Sequence, residues 1–599
     1  MPFSVAITAV LAAALALPAA VPTPQPASGA ASAPGRERSA PVREHSEPAE
    51  VAAELDRVLA DRRLAGATVV GEVREEGSGV IVWARDPDRR VLPASNQKLL
   101  TAAAALEILG PEYRFRTEVR NTGTIGAGTL RGDLFLVGRG DPTMTYARYD
   151  TLATAVAKSG VTRITGRLVA DDSWFDGVPL GLDWSWQDEP FADTAPISAL
   201  TFAANDRLDN AAVEVRYRPG AAGKPPVLTL HPPTTTVRLV NRAVSGRTGA
   251  VAVTRDHGAG TIVVSGTVTS AGTELVSVPD PAATSADVFR AALRRHGVEL
   301  VRRTERGSAP ATAVTVIAQV SDPLARVLPT FLKLSNNGIA ELLVKAMSRA
   351  AAPGVPGSWP GGLTAMSTAL AGLGADPAAL TLGDGSGLSR RNWVTARQLT
   401  TVLVAARERT WFPAWYAALP IAADPDPSVG GTLRDRMRNT AAAGNVHAKT
   451  GTLTGVNALS GYVTAGDGRR LVFSVIANNA VAGVSDLLDR IPITLAGIQR
   501  SESGRYDRYR SGGDRANARP AIPQPRHPGP ATAAAAGRSD RAGSPDQARR
   551  APGADAAHLV RGVVEPAREL HAGAHRAAAD RPGDRPDGAD ALDDPPGHR

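Results

Sequence analysis

The sequence predicts an α+β protein of several domains, and three observations predict it. Helix and strand patterns mix over residues 49–110 and again from about 320 to 500. Between them, 111–310 carries short β-branched runs separated by Gly, Pro, Asn and Asp turns. At 599 residues and 43% hydrophobic composition, the chain is too long for one core and too apolar to be wholly disordered.

In chain order, residues 4–20 form a short apolar stretch ending in small residues, read as a signal peptide covering 1–20 with cleavage near Ala20. No Lys or Arg precedes Arg36, so the positively charged start of such a signal is missing, which a misassigned start codon would explain. An uncleaved membrane anchor is the alternative reading. Residues 21–48, rich in Pro, Ser and Ala, read as a flexible stem. A helix follows at 49–63. GATVVGEVREE and GVIVWARD then pair as strands across a Gly-Ser-Gly turn. A helix at 95–109 starts on Ser and stops before Gly110. Within 111–310 the runs TLRGDLFLVG, RITGRLVADD, AAVEVRYRPG, VLTLHPP, TTVRLVNRAV and TIVVSGTVTS read as strands, interrupted by a helix at 284–296. Helices return at 337–350, 361–374 and 394–408, then a hairpin with GDG at its turn, and a last helix at 483–498. Residues 499–599 lack Phe and Trp and show no sustained period, which predicts a disordered tail.

Composition removes several functions. The body contains no apolar run of 18 residues, against a multi-span membrane protein. The absence of Cys excludes disulfides, thiolate zinc sites and cysteine nucleophiles. Net charge is +8, but the basic residues are spread along the chain, so no nucleic-acid partner is expected. Ten scattered His without H-x-x-H or H-E-x-x-H spacing leave metal catalysis unsupported. The Asp171-Asp172 pair does not alter this, and no metal or cofactor is expected. The chain has 61 Arg and only six Lys: Lys98, Lys158, Lys224, Lys333, Lys345 and Lys449. A lysine kept against that bias invites a chemical reason, because lysine can lose its proton when desolvated and arginine effectively cannot. Lys345 reads as helix surface, Lys158 and Lys224 as loop or surface. Lys333 reads as either a site residue or a positioned surface charge.

Three motifs stand in order. Ser95-Asn96-Gln97-Lys98 begins a helix, where positions i and i+3 share a face and bring hydroxyl and amine together. Serine needs a base to become a nucleophile, and a buried lysine with a depressed pKa can be that base. Ser335-Asn336-Asn337 stands just ahead of a helix. Lys449-Thr450-Gly451-Thr452 leads into a strand, offering a cation, hydroxyls and a glycine that admits close backbone approach. Each motif alone is commonplace. All three in order, each at a helix or strand start and two of them using scarce lysines, are not. His447 shares the Lys449 face of an alternating strand but is not needed by this chemistry. Gly138-Arg139-Gly140 reads as a tight turn, and Trp184 and Trp186 as packing at a domain seam.

With these motifs the chain resembles the active-site serine penicillin-recognising enzymes. The 240 residues between Ser95 and Ser335, with Gly138-Arg139-Gly140-Asp141-Pro142-Thr143, Ala195-Pro196-Ile197-Ser198-Ala199-Leu200, Asp384-Gly385-Ser386-Gly387-Leu388-Ser389-Arg390, Leu332-Lys333-Leu334 and Ala340-Glu341, are similar to the D-alanyl-D-alanine carboxypeptidase/endopeptidase family, peptidase S13. The resemblance covers about residues 50–498. It implies a serine β-lactamase/DD-peptidase-like domain, an antiparallel sheet flanked by helices, assembled from 49–110 and 311–498 around β-rich inserted domains at 111–310. It also implies peptidoglycan stem peptides as substrate, β-lactams as covalent inhibitors, and an exported enzyme acting on the cell-wall side of the membrane. By the same resemblance, Ser95 is acylated, Lys98 is the base and Ser335 relays the proton. Asn337 holds the substrate amide and Lys449 supports the field. Thr450 and Thr452, with Gly451 between them, bind the terminal carboxylate, and the backbone N–H groups of Ser95 and Thr452 form the oxyanion hole. A β-lactamase and a catalytically idle wall-binding protein remain the alternatives.

Overall fold

The computed structural model describes residues 47–499. The expected signal peptide, nearly all of the stem and the tail beyond Gln499 lie outside them. Ten helices are described: α1 Glu47–Val58, α2 Gln97–Ile108, α3 Tyr146–Lys158, α4 Pro281–Arg295, α5 Leu324–Lys333, α6 Asn337–Ala351, α7 Trp359–Gly372, α8 Ala396–Ala406, α9 Phe412–Ala417 and α10 Ser485–Ala496.

Sequence-distant segments meet in one antiparallel sheet. Its five strands run in the order His447–Leu453, Val456–Thr464, Arg470–Asn478, Thr68–Glu75, Ile81–Arg85. Thr68 lies opposite Asn478 and Glu75 opposite Leu471, so the third and fourth strands pair along their length. The period-2 alternation of strands then sorts side chains onto two faces. Leu471, Phe473, Val475 and Ala477 enter one core with α1 and α10. Val472 and Ile476 enter the other with α2 and α5–α9.

α2 is the pivot of that second core. Its residues Gln97 through Leu106 are all buried, the polar Gln97, Lys98 and Thr101 among them. Four consecutive alanines, Ala102–Ala105, keep it slim enough for α6 and α7 to pack around it. α6 and α7 themselves touch backbone to side chain: a Cβ on Gly362 would lie 2.1 Å from the Val344 carbonyl oxygen.

Residues 119–300 build a separate core from short strands, α3 and α4. Here the structure corrects the sequence reading. The runs 129–138 and 163–172 are not single strands. Thr129–Arg131 and Arg163–Ile164 pair in a four-stranded sheet, while Leu134–Gly138 and Leu168–Asp171 pair in a five-stranded one. The breaks fall at facing glycines, where a Cβ on Gly166 would meet the Gly132 carbonyl oxygen at 2.1 Å. The sequence reading also missed α3, whose buried Tyr149, Leu152, Ala153 and Val156 follow helical spacing and whose Thr145 cap accepts from Arg148 N. It missed α5 and α9 too, short helices that carry Pro329 and Pro413. The first helix stops at Val58 rather than 63, and Asp61 caps a separate turn at Arg62–Leu64. No helix among the described residues is long and apolar enough to cross a membrane.

Gly362→Ala tests the α6–α7 contact. The added methyl has no room beside a backbone oxygen, so urea unfolding should show a loss of about 1–3 kcal/mol.

Candidate active site

The Ser95 turn is held under strain. Ala94, inside the single turn Ala94–Asn96 that leads into α2, has φ +47°, a left-handed value unfavourable for alanine. Two glycines explain how neighbours close upon it. A Cβ on Gly451 would lie 2.7 Å from the Pro93 oxygen and 3.1 Å from Ser95 N, and one on Gly387 would lie 1.9 Å from the Ala94 oxygen. The edge strand His447–Leu453 and the 384–389 loop therefore press against the Ser95 backbone from different sides. Asn96 anchors the turn to the sheet, donating to Ser460 Oγ at 2.6 Å.

α2 carries Lys98 into the interior, fully buried, where Nζ makes three hydrogen bonds. It lies 2.9 Å from Ser95 Oγ, 2.6 Å from Asn337 Oδ1 and 2.8 Å from the Ser386 carbonyl oxygen. The turn between α5 and α6 supplies Ser335, itself left-handed at φ +58°, and the first residue of α6 is Asn337. Lys449, also fully buried, comes from the edge strand and donates to Ser335 Oγ and to the Thr450 carbonyl oxygen, both at 2.8 Å. Thr450 Oγ1 is hydrogen-bonded to Thr432 Oγ1 at 2.9 Å, and Thr452 is exposed. The alcohols of Ser95 and Ser335 are partly open to solvent while both amines are sealed. All eight residues singled out from the sequence thus come together.

Burial sets the charges. Desolvation pulls Lys98 down to about 8, against the opposing pull of Asp384, Glu341 and Asp193. Lys449 is pushed well below its ordinary value, first by burial and then by Lys98 beside it. Burial and the neighbouring Asp384 carboxylate push Glu341 up to about 7.

The sequence matches the D-Ala-D-Ala carboxypeptidase 3 (S13) family over residues 51–494. It is 42% identical over 473 residues to a D-alanyl-D-alanine carboxypeptidase of Actinomadura sp. (strain R39), covering 77% of this chain and 87% of that one. The chain belongs to the S13 family. It is an enzyme, a D-Ala-D-Ala carboxypeptidase of that family. It is also 28% identical over 402 residues to the D-alanyl-D-alanine carboxypeptidase DacB of Haemophilus influenzae, covering 66% of this chain and 81% of that one. The crystal structure of penicillin binding protein 4 (dacB) from Haemophilus influenzae superposes with a TM-score of 0.65 at 24% identity, covering 74% of this chain and 98% of that one. That likeness shows the fold, α+β with the sheet and helices expected.

Several partners in this S13 site were not singled out from the sequence. The Ser386 and Asp193 carbonyls act through backbone, so no side-chain identity announces them, and Thr432 follows an unremarked Gly430-Gly431 pair. Lys345 corrects the surface reading: it is fully buried, 2.5 Å from Asp176 and 4.0 Å above the Trp359 ring. Lys333 is 5% exposed and donates to the Leu419 and Val429 carbonyls, whereas Lys158 and Lys224 are exposed as expected. Four of the six lysines are therefore interior. His447 stacks flat on Tyr416, centroids 4.2 Å apart, and burial pulls it down to about 4. Trp184 donates to Asp384 at 2.9 Å and meets Trp359 edge-on, while Trp186 is 68% exposed beside His257 and so is not packed at a seam. Asp171 binds Ser173 and the Ala309 N–H, and Asp172 pairs with Arg306.

The buried amines dictate a pH dependence of stability. Lys98 and Lys333 lose their protons near pH 8 in the folded chain but keep them to about 10.5 when unfolded. In that window the native state binds fewer protons, so stability rises with pH. For Lys98 the gain is on the order of 3 kcal/mol. Burial raises the phenols of Tyr113, Tyr149 and Tyr462. Above pH 10 the unfolded chain therefore ionises tyrosines that the native state keeps neutral, and stability falls. Urea unfolding from pH 7 to 11 should show a maximum near pH 10.

Proposed function

We propose that the chain cleaves the D-Ala-D-Ala terminus of peptidoglycan stem peptides through an acyl-enzyme on Ser95. The observation that carries the reading is the set of partners around Lys98 Nζ. A neutral amine has two N–H donors and one lone pair. The Asn337 Oδ1 and Ser386 carbonyl oxygens can only accept, and Asn337 is fixed in that orientation because its Nδ2 donates to the Asp193 oxygen at 2.9 Å. The lone pair is left pointing at Ser95 Oγ. With its pKa near 8, Lys98 is neutral often enough to take the Ser95 proton.

Ser95 Oγ then attacks the carbonyl of the penultimate D-Ala. The oxyanion is held by the backbone N–H groups of Ser95 and Thr452, whose strand Gly451 allows against the Ser95 turn. Ser335, held by Lys449, relays the proton that Lys98 took from Ser95 to the departing amine of the terminal D-Ala, which leaves Lys98 neutral again. Water hydrolyses the ester and restores Ser95. The strand His447–Leu453 is at the edge of its sheet, which suits an extended peptide laid alongside it, with Thr450 and Thr452 on the terminal carboxylate. The second Nδ2 hydrogen of Asn337 serves the substrate amide. Every step is assigned to side chains, backbone and water. D,D cross-links are a second substrate of the same chemistry, the leaving amine then belonging to a neighbouring stem. β-Lactams acylate Ser95 stably; one structure of the Haemophilus influenzae protein is of its complex with a novel β-lactam. The wall substrate and the 4–20 stretch favour export. We assign 49–110 and 311–498 to the catalytic domain and 111–310 to an insertion.

Labelled penicillin should leave its adduct on the peptide containing Ser95, and Ser95→Ala should abolish it. A stem peptide should release D-Ala, and Lys98→Met should slow acylation by roughly 10²–10⁴. The native acylation rate should climb as pH rises through about 8. An adduct on another residue overturns the assignment. Rapid breakdown of penicillin favours a β-lactamase, and acylation without D-Ala release favours an idle binder.

A further inference from the structure

Lys98 has two acceptor partners besides Ser95, and both trace back to one face of α6. Asn337 and Glu341 are four residues apart, one helical turn. Asn337 reaches Lys98 directly. Glu341, fully buried, instead grips the loop that carries the other acceptor. Its Oε1 accepts from Ser386 N at 2.7 Å, and its Oε2 accepts from Gly385 N at 3.0 Å and from Trp359 Nε1 at 2.8 Å. Gly385 lets the loop lie directly on α6, since a Cβ there would come within 2.8 Å of the Ala340 oxygen and 2.5 Å of Val344 Cγ2. On its other side the loop is tied by Asp384, which accepts from Gly387 N at 2.8 Å, Ser389 N at 2.6 Å, Asn392 Nδ2 at 2.8 Å and Trp184 Nε1 at 2.9 Å. A carboxylate taking the 385 and 386 N–H groups fixes the two peptides that lead up to Ser386, while Asp384 Oδ1 holds the Gly387 N–H of the peptide to which the Ser386 carbonyl belongs, and that carbonyl is thereby aimed at Nζ.

We propose that Glu341 is a positioning residue for the reaction: by clamping the Gly385 and Ser386 amides it aims the Ser386 carbonyl at Lys98, and so steers the lysine lone pair onto Ser95. The inference rests on the acyl-enzyme reading above. Glu341 touches neither substrate nor Ser95; its influence passes through the Gly385–Ser386 backbone. Behind it, Trp359 supplies the third N–H, and the Trp359 ring lies under Lys345, whose amine is held by Asp176 and by the Val178 carbonyl at 2.7 Å. The clamp is thus backed by the 111–310 region, although every motif lies outside it.

The test measures the acylation rate constant at saturating labelled penicillin and, separately, the dissociation constant of the complex that precedes acylation. Both are read per folded molecule, with folding checked by circular dichroism. Glu341→Gln should lower the rate constant about 10–100-fold, the cost of a misaimed reacting group, with the dissociation constant unchanged within about threefold. Glu341→Ala should lower the rate further than Glu341→Gln, because glutamine keeps one acceptor oxygen. Trp359→Phe keeps a ring beneath Lys345 and removes one donor to Oε2, so it should lower the same constant severalfold. This variant decides the matter alone should both Glu341 variants fail to fold. Folded variants that acylate at the native rate, or that lose affinity and rate in parallel, overturn the clamp. A native chain that penicillin does not label on Ser95 overturns the acyl-enzyme reading instead, so the two failures are told apart.

Discussion

Two amines buried side by side are the constraint from which the rest of the structure follows. Neither Lys98 nor Lys449 reaches water, and Lys98 adds to the burial that lowers the affinity of Lys449 for protons. Desolvating an ammonium is costly unless acceptors surround it. The fold meets that cost with oxygen atoms from four places: α6, the 384–389 loop, the edge strand and the Ser335 turn. A deep α2 is needed to bring Lys98 inside. An edge strand that runs into the core at Ala448 and Lys449, then out to solvent at Thr452, is needed to bring Lys449 from the opposite side. Sealing the amines while leaving both serine hydroxyls partly open separates the base from water but not from substrate.

The 111–310 region, silent in the motif pattern, takes part in this site. Its Asp193 carbonyl fixes the amide of Asn337, and its Trp184 holds Asp384. Asp176 neutralises Lys345, while Asp183 pairs with Arg391. Asn336, between the two motif residues, accepts from Ile339 N to cap α6 and donates to the Leu208 carbonyl at 2.9 Å. One side chain thereby starts the helix that bears Asn337 and docks it to that region. Removing 111–310 would leave the three motifs in sequence but would strip the acceptor that orients Asn337.

Much of this was readable from the residues. The three motifs and the lysine scarcity pointed to Ser95, Lys98, Ser335, Asn337 and Lys449, because hydroxyl, amine and amide chemistry resides in side-chain identity. The sheet hairpin, α2 and α6–α8 were readable because their periods are long and unbroken. What failed were cases where tertiary contact decides. Lys345 looked like helix surface because nothing local shows that Asp176, 169 residues earlier, will meet it. The strand runs at 129–138 and 163–172 kept their β-branched pattern across Gly132 and Gly166, so the break between two sheets left little trace beyond single glycines. Carbonyl acceptors such as Ser386 O lie beyond side-chain reading altogether, since every residue has one.

Strain at Ala94 and Ser335 completes the argument. Each is a non-glycine residue at left-handed φ, at a cost of order 1–3 kcal/mol. Glycine would relax both turns, yet glycine at 335 would delete the hydroxyl that receives Lys449, and glycine at 94 would loosen the turn that aims Ser95. The strain is held in place from outside: Gly387 and Gly451 close on the Pro93–Ser95 backbone, and Asn96 ties the same turn to Ser460. Conformational freedom has thus been placed in the neighbours, where an absent Cβ permits contact, and withheld from the turns that carry the reacting hydroxyls. Such a division suits a site in which one lone pair must meet one alcohol, because a mobile Ser95 would leave Lys98 with acceptors on two sides and nothing to deprotonate on the third.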